Sequence, residues 1–213
     1  IPFKGERLGV HICEDAWSDA AMWPRGIPYD VNPISLLSSQ AASLYINISA
    51  SPFQVGKETQ RYQLLRGHAR RAWAPFIYLN QVGANDELIF DGRSLCLDAS
   101  GSPLAVLPAF EECVRTVDTA LPAANGVYEP EEEIATVYNA LVLGIRDYMR
   151  KTGFSRAVLG LSGGIDSALT CCLAVDALGS ENVLGVSMPS PYSSPGSVAD
   201  ARQLAENLGI TLR

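Results

Sequence analysis

The chain has 213 residues, 47% hydrophobic and 18% charged, with a formal net charge of −7. It is long enough for one large domain or two small ones, and its acidic balance argues against non-specific nucleic-acid binding, which needs a cationic face. No apolar run reaches membrane-spanning length and no basic-then-apolar pattern stands at the start, so neither a span nor a leader is expected. Its five cysteines are irregularly spaced, with no C-x-x-C pair and two histidines, so no zinc site and a cytoplasmic location are expected.

The chain opens on "IPFKGERLGV" without a Met and closes on "LGITLR" just inside a strand, so it reads as the middle of a longer protein. "RLGVHICEDAW" is an apolar strand that runs into acids and Trp17. "ISLLSSQAASL" has helical spacing, and "YINISASPF" is a buried strand halted at Pro52. "GKETQRYQLLRGHARRAWA" puts Tyr62, Leu65, Ala69 and Ala72 on one helical stripe, with a basic face expected in solvent. Next come three strand-like runs: "PFIYLNQVG", "ELIFDGRSLCLDASGSPLAVLPAF" and "ECVRTVDTAL". "DASGS" at 98–102 makes a hairpin turn within the second. "PAANGVYEPEEE" changes the character of the chain. Its Pro, Asn and Gly mark a linker, and its acids begin a helix, "EEEIATVYNALVLGIRDYMRKTG", that ends at Gly153. Strand, turn and helix in "RAVLGLSGGIDSALTCCLAVDALG" are followed by a strand in "ENVLGVSMPS" and a helix in "SVADARQLAENLG". This alternation predicts a doubly wound parallel sheet.

The turn "LGLSGGIDSALT" at 159–170 admits two chemistries. From Gly160 it spells G-x-S-x-G, the spacing of a hydrolase nucleophile elbow. It also reads as a glycine-rich loop that opens a helix and cradles an anion. An elbow needs an acid and then a histidine after its serine, whereas His11 and His68 both precede Ser162. A histidine elsewhere in a longer protein would keep the elbow open. The anion loop asks for less. Gly163 and Gly164 let backbone N–H groups approach phosphate, Ser162 and Ser167 add hydroxyls, and Asp166 can hold Mg²⁺ between phosphates. With no Lys after the glycines, it is not the G-x-x-x-x-G-K-[ST] loop.

"SGGIDS" resembles the pyrophosphate loop of the ATP-pyrophosphatase group, and "MPSPYSSPGSVADARQLAENLGI" (188–210) resembles the next segment of bacterial NAD synthetases. The resemblance implies that Gly160, Leu161, Ser162, Gly163, Gly164, Ile165, Asp166 and Ser167 bind ATP and that Asp166 holds Mg²⁺. It implies ATP cleavage between the α and β phosphates, with AMP passing to a carboxylate that ammonia then attacks.

Cys13 ends an apolar strand beside polar residues, a position that suits an exposed, reactive thiol. Cys96 and Cys113 read as small core residues, and Cys171 and Cys172 as helix packing. His11 shares a strand face with Cys13 but lies roughly 6.5 Å along it, too far for a hydrogen-bonded dyad, and is given a structural role. "GVHICEDAW", "NISASPF" and "YLNQVGANDELIFDGRS" resemble, in this order, the second half of a nitrilase-type glutaminase domain. Fused to a synthetase, that domain makes the glutamine-dependent NAD synthetase family. The resemblance implies that Cys13 is the nucleophile that forms a thioester with glutamine, that Ser51 and Lys57 bind glutamine, and that Glu14 and Trp17 wall the pocket. The family's general-base Glu and catalytic Lys precede the cysteine by many residues. Lys4 and Glu6 are too close to Cys13 for those roles, so the two partners and the dinucleotide site are expected outside these 213 residues.

The expected fold is therefore α/β. The C-terminal half of a nitrilase-type α-β-β-α sandwich over 1–122 is followed by the start of a doubly wound parallel-sheet synthetase domain over 123–213. Expected partners are glutamine, ATP and deamido-NAD, with no nucleic acid, no membrane, and a homo-oligomeric assembly. Two other readings are weighed: another ATP-pyrophosphatase amidotransferase, or a nitrilase-type amidase with a non-catalytic nucleotide-binding module.

Overall fold

A computed structural model describes residues 1–18, 30–121, 126–192 and 194–213. It divides into two compact units, Ile1–Gly83 with Leu88–Thr136, and Ala84–Glu87 with Val137–Arg213. The expected boundary at 122/123 lies outside the described residues.

The first unit is built on a six-stranded sheet ordered β1-β2-β3-β4-β7-β8. Its strands are β1 (Pro2–Phe3), β2 (Glu6–Ile12), β3 (Leu44–Ser49), β4 (Phe76–Asn80), β7 (Leu95–Leu97) and β8 (Pro103–Val106), and β5 (Val82–Asn85) pairs with β6 (Leu88–Asp91) apart from it. The central strands β2, β3 and β4 are parallel, and β7 and β8 run antiparallel beyond them. Two helices connect the parallel strands: α1 (Pro33–Ser39), capped by Asn32 Oδ1 on the Ser35 N–H at 3.0 Å, and α2 (Lys57–Ala72).

The period-2 alternation of β2, β3 and β4 gives the sheet two unlike faces. On one face the rows Gly9–Tyr45–Phe76 and His11–Asn47–Tyr78 lie across the strands. There Tyr45, Phe76, Leu95 and Leu97 pack with Tyr62, Leu65 and Ala69 of α2. The opposite face carries the aliphatic rows Val10–Ile46–Ile77 and Ile12–Ile48–Leu79, the last of them exposed. A wholly aliphatic face on a parallel sheet fits the α-β-β-α sandwich, in which a second sheet covers it. The turn at 98–102 forms as expected, with the Asp98 carboxylate accepting the N–H groups of Ser100 and Ser102 at 2.8 and 2.9 Å.

Three expectations are corrected here. "ECVRTVDTAL" is not a strand, because residues 112–121 pair with no neighbour among the described residues and Val114 is fully exposed. Cys113 on that segment is exposed, whereas Cys96 is a core residue. The polar face of α2 is not wholly solvated: Arg61 and His68 are buried.

The second unit holds α3 (Glu133–Thr152), which overlaps the boundary at Thr136. It also holds the parallel sheet β11-β10-β9, from β9 (Ala157–Gly160), β10 (Val183–Val186) and β11 (Thr211–Leu212). Helices α4 (Ile165–Leu178) and α5 (Pro195–Leu208) connect the strands, giving the doubly wound pattern. Leu161, Cys171, Ala174, Val183 and Ala201 form the core between helices and sheet. Val142 of α3 meets Leu173 and Ala177 of α4. Helix α5 starts at Ser194, whose hydroxyl accepts the Ser197 N–H at 3.1 Å, and stops at Gly209 in the left-handed region. No helix among the described residues is long and apolar enough to cross a membrane.

Candidate active sites

In the first unit the chemistry gathers where the parallel strands end. β2 stops at Ile12, and Cys13 opens a single 3₁₀ turn, Cys13–Trp17, with φ +41°. A residue with a Cβ is held in the left-handed region at a cost of roughly 1–2 kcal/mol, so the surroundings must impose the turn. They do so through its ends. Asp15 Oδ2 accepts the Ile12 N–H at 2.8 Å, Asn47 Nδ2 donates to the Cys13 carbonyl at 3.4 Å, and His68 Nε2 meets the Ala16 carbonyl at 2.6 Å. Asn47 and His68 are buried, and Cys13 is half-exposed.

Lys57, the first residue of α2, points back to this turn. Its Nζ donates to the Pro52 carbonyl at 3.1 Å and lies 5.5 Å from the centre of the Trp17 ring. Burial lowers its pKa, as does the Arg61 charge, while Asp91 and Cys13 act in the opposite direction. Cys13, Trp17 and Lys57 are thus brought together. Ser51 is buried, its N–H held by Asn80 Oδ1 at 2.9 Å. Glu14 stands exposed beside Cys13 in the chain. His11 is a core residue, with its ring edge on Phe76 at 5.3 Å and Nδ1 3.3 Å from the Gly9 carbonyl. Burial, the largest influence, lowers its pKa and favours the neutral ring.

A buried polar layer behind these residues escapes the motif reading. Arg61 and Asp91 form a two-pronged ion pair at 3.0 Å on each prong. Asn80 Nδ2 joins Asp91 Oδ1 at 3.1 Å, and Arg61 lies over the Tyr78 ring at 5.2 Å. The available signal is alternation. Asn47, Ser49 and Ser51, then Tyr78 and Asn80, are polar at every second position as each strand nears its end.

In the second unit, β9 ends at Gly160 and the chain turns through Leu161–Gly164 into α4. Gly163 has φ +79°, and a Cβ there would sit 2.2 Å from the Ser197 carbonyl oxygen. The loop therefore packs directly on the start of α5. Ser162 Oγ accepts the Gly164 N–H at 3.2 Å and lies 3.1 Å from Ser167 Oγ, which donates to the Gly164 carbonyl at 2.9 Å. The first intrahelical bond runs from Ala168 N–H to the Gly164 carbonyl, so the earlier amides of α4 face the loop. Both hydroxyls and these amides give the loop donors of the kind that bind an anion. A cleft of about 220 Å³ adjoins it, lined by Gly160, Ser162, Ser187, Met188 and Ser197, at the carboxyl ends of β9 and β10. That is where open α/β sheets bind ligands.

Asp166 is exposed in the first turn of α4. Among the described residues no group of three or more His, Cys, Asp or Glu side chains could hold a metal. A lone carboxylate fits Mg²⁺, which is commonly held by one or two carboxylates with phosphate oxygens and water.

These geometries can be set beside known proteins. The family model described as NAD synthase matches residues 137–213. The glutamine-dependent NAD(+) synthetase of Synechocystis sp. is 46% identical over 98% of the chain, and that of Rhodobacter capsulatus 43% over 96%. The chain belongs to the glutamine-dependent NAD(+) synthetase family. It spans 38% and 36% of the length of those two relatives. The solved glutamine-dependent NAD+ synthetase of Acinetobacter baumannii, in complex with ADP, superposes over the whole chain and 39% of its own with a TM-score of 0.87 at 37% identity. The family resemblance read from "HICEDAW", "SGGIDS" and the 188–210 segment therefore holds across both units.

Proposed function

We propose that the whole protein makes NAD⁺ by amidating nicotinate adenine dinucleotide with ammonia drawn from glutamine, and that this chain carries part of each active site. Residues 1–122 are assigned to the glutaminase and 123–213 to the synthetase. The observation that carries the reading is the presence in one chain of a strained, half-exposed cysteine beside a lysine and a strand–loop–helix anion site. Mere nucleotide binding needs no such cysteine.

In the glutaminase half, the Cys13 thiolate attacks the glutamine amide carbon. The amide nitrogen takes a proton and leaves as ammonia, and water then hydrolyses the thioester to glutamate. The Lys57 ammonium and Ser51 bind glutamine, while Trp17 and Glu14 border the pocket. The base that removes the thiol proton and a second lysine are supplied from outside residues 1–213. In the synthetase half, Gly160–Ser167 hold the ATP phosphates through the amides at the start of α4 and the Ser162 and Ser167 hydroxyls. The Met188 thioether borders the cleft as a soft apolar wall suited to a purine face. The dinucleotide carboxylate takes AMP, pyrophosphate leaves with its charge stabilised by the loop, and ammonia displaces AMP. Mg²⁺, held by Asp166, would neutralise phosphate charge. The protein is read as a cytoplasmic homo-oligomer that engages neither nucleic acid nor membrane.

The test is a paired NAD-formation assay on full-length Cys13→Ala. Synthesis from glutamine should disappear and synthesis from ammonia should continue at near the wild-type rate. Equal loss with both donors would make Cys13 structural, and equal retention would assign the attack to another residue.

A further inference from the structure

We propose that Arg61 and Asp91 are a positioning pair for the glutamine subsite, fixing the Ser51 backbone through Asn80 and balancing the charges around Lys57 one helical turn away. The proposal rests on the reading of Ser51 and Lys57 as glutamine ligands.

Stability alone gives little reason for this pair. Arg61 is only 1% exposed and Asp91 4%. A buried ion pair is often no more stabilising than apolar side chains of equal volume, because both charges lose their hydration. Its connections are more specific. Asp91 Oδ1 receives both Arg61 Nη2 at 3.0 Å and Asn80 Nδ2 at 3.1 Å. With its amino group committed to that carboxylate, the Asn80 amide cannot flip, so its oxygen must face the Ser51 N–H at 2.9 Å. The second Asn80 proton lies toward the Ser51 carbonyl at 3.4 Å. The Ser51 peptide is thereby held on both sides by a residue that Asp91 orients.

The same pair adds opposite charges near Lys57. Arg61 follows Lys57 by four residues on α2, so the two cations share a face. Lys57 is faced by the Trp17 ring, the Cys13 thiol and the Pro52 carbonyl, and by the charges of Arg61 and Asp91. Asp91 offsets the Arg61 charge that would otherwise favour loss of the Lys57 proton. A carboxylate-bearing substrate needs that ammonium charged.

The experiment uses the full-length protein with Arg61→Met/Asp91→Leu, Asp91→Asn and Asn80→Ala, read as glutamine KM and kcat, ammonia-dependent NAD formation and thermal unfolding. The double variant keeps an apolar, volume-matched core. It should unfold near the wild-type temperature and use ammonia within twofold of wild type, yet raise the glutamine KM tenfold or more with a much smaller change in kcat. Asn80→Ala leaves the ion pair whole and should raise KM at least threefold. Asp91→Asn leaves the Arg61 charge uncompensated, so the Lys57 proton is lost at lower pH. The alkaline fall of glutamine kcat/KM should therefore move to lower pH. A glutamine KM within twofold of wild type in the double variant, or in Asn80→Ala, overturns the proposal. Glutamine-dependent synthesis retained by Cys13→Ala would instead overturn the glutaminase reading, so the two failures are distinct.

Discussion

Gly163 offers the sharpest quantitative test of the anion loop. Its φ of +79° and the backbone of Ser197 work against any side chain: a Cβ would lie 2.2 Å from the Ser197 oxygen and 2.7 Å from its Cα. Backbone atoms cannot rotate away as a side chain tip could, so Gly163→Ala must shift the loop, the start of α5, or both. The left-handed conformation costs an alanine roughly 1–2 kcal/mol, and overpacking adds roughly 1–3 kcal/mol. The midpoint of the sum, about 3.5 kcal/mol, taken as loss of the productive loop conformation, corresponds to roughly 400-fold in ATP-dependent kcat/KM. Gly164 is the internal control, since its Cβ would meet only Ser162 Oγ, at 3.3 Å, with φ −87° in the ordinary range. The assay is NAD formation from ammonia across ATP concentrations in the full-length protein, with glutaminase turnover measured alongside. Gly163→Ala should lose ATP-dependent synthesis while Gly164→Ala keeps most of it. Equal activities in the two variants would refute the argument that this close approach shapes the loop.

Other outcomes follow from individual contacts. Asn47→Leu removes the donor to the Cys13 carbonyl and should cost about 1–3 kcal/mol in denaturant unfolding, with slower alkylation of Cys13. Unchanged alkylation would mean that the turn holds itself. Burial raises the Cys96 thiol from 9.0 to about 11, so the folded state favours the protonated thiol. Its contribution to stability is present below about pH 9 and is lost as pH rises through about 11, so Cys96→Ala should flatten the alkaline fall in unfolding free energy over that window. Asp166→Asn should leave thermal stability nearly unchanged, since a first-turn carboxylate gives only about 0.3–1 kcal/mol. If Asp166 holds Mg²⁺, the same variant should abolish NAD formation with either donor. Ammonia-dependent rates within a few-fold of wild type would make Asp166 a helix cap alone.

The second unit was the more legible in sequence because its signals are local. Strand, glycine turn and helix alternate within short spans, and β9, α4, β10 and α5 form where periodicity and caps put them. In the first unit local signals fixed the parallel strands but not what surrounds them. "ECVRTVDTAL" has β-forming residues with no pairing neighbour among the described residues, so propensity alone made no strand there. Arg61 was read as solvated because its partner Asp91 is 30 residues away on another element. Burial of a charge depends on such a partner, and no helical periodicity reports one. Cys13, by contrast, was read from a strand end and a family resemblance, while the φ that sets it off from the strand is visible only in three dimensions.

The two candidate sites solve one geometric problem with opposite residues. Each lies where a parallel strand ends, and each turns its backbone through the left-handed region, at Cys13 with φ +41° and at Gly163 with φ +79°. On the proposed reading the anion loop acts chiefly through backbone amides, so its bend can fall on a residue with no side chain, where the conformation is nearly free and Ser197 can close in. The proposed glutaminase site would work with a side chain. Its bend falls on the residue that carries the thiol, and the strain is met from outside by Asp15, Asn47 and His68 on the neighbouring backbone groups. The Cys13 turn thus rests on several side chains, and the Gly163 turn on one close backbone approach. Substitutions behind Cys13 should therefore reach its chemistry through several side chains, whereas the anion loop should be most sensitive at Gly163 itself.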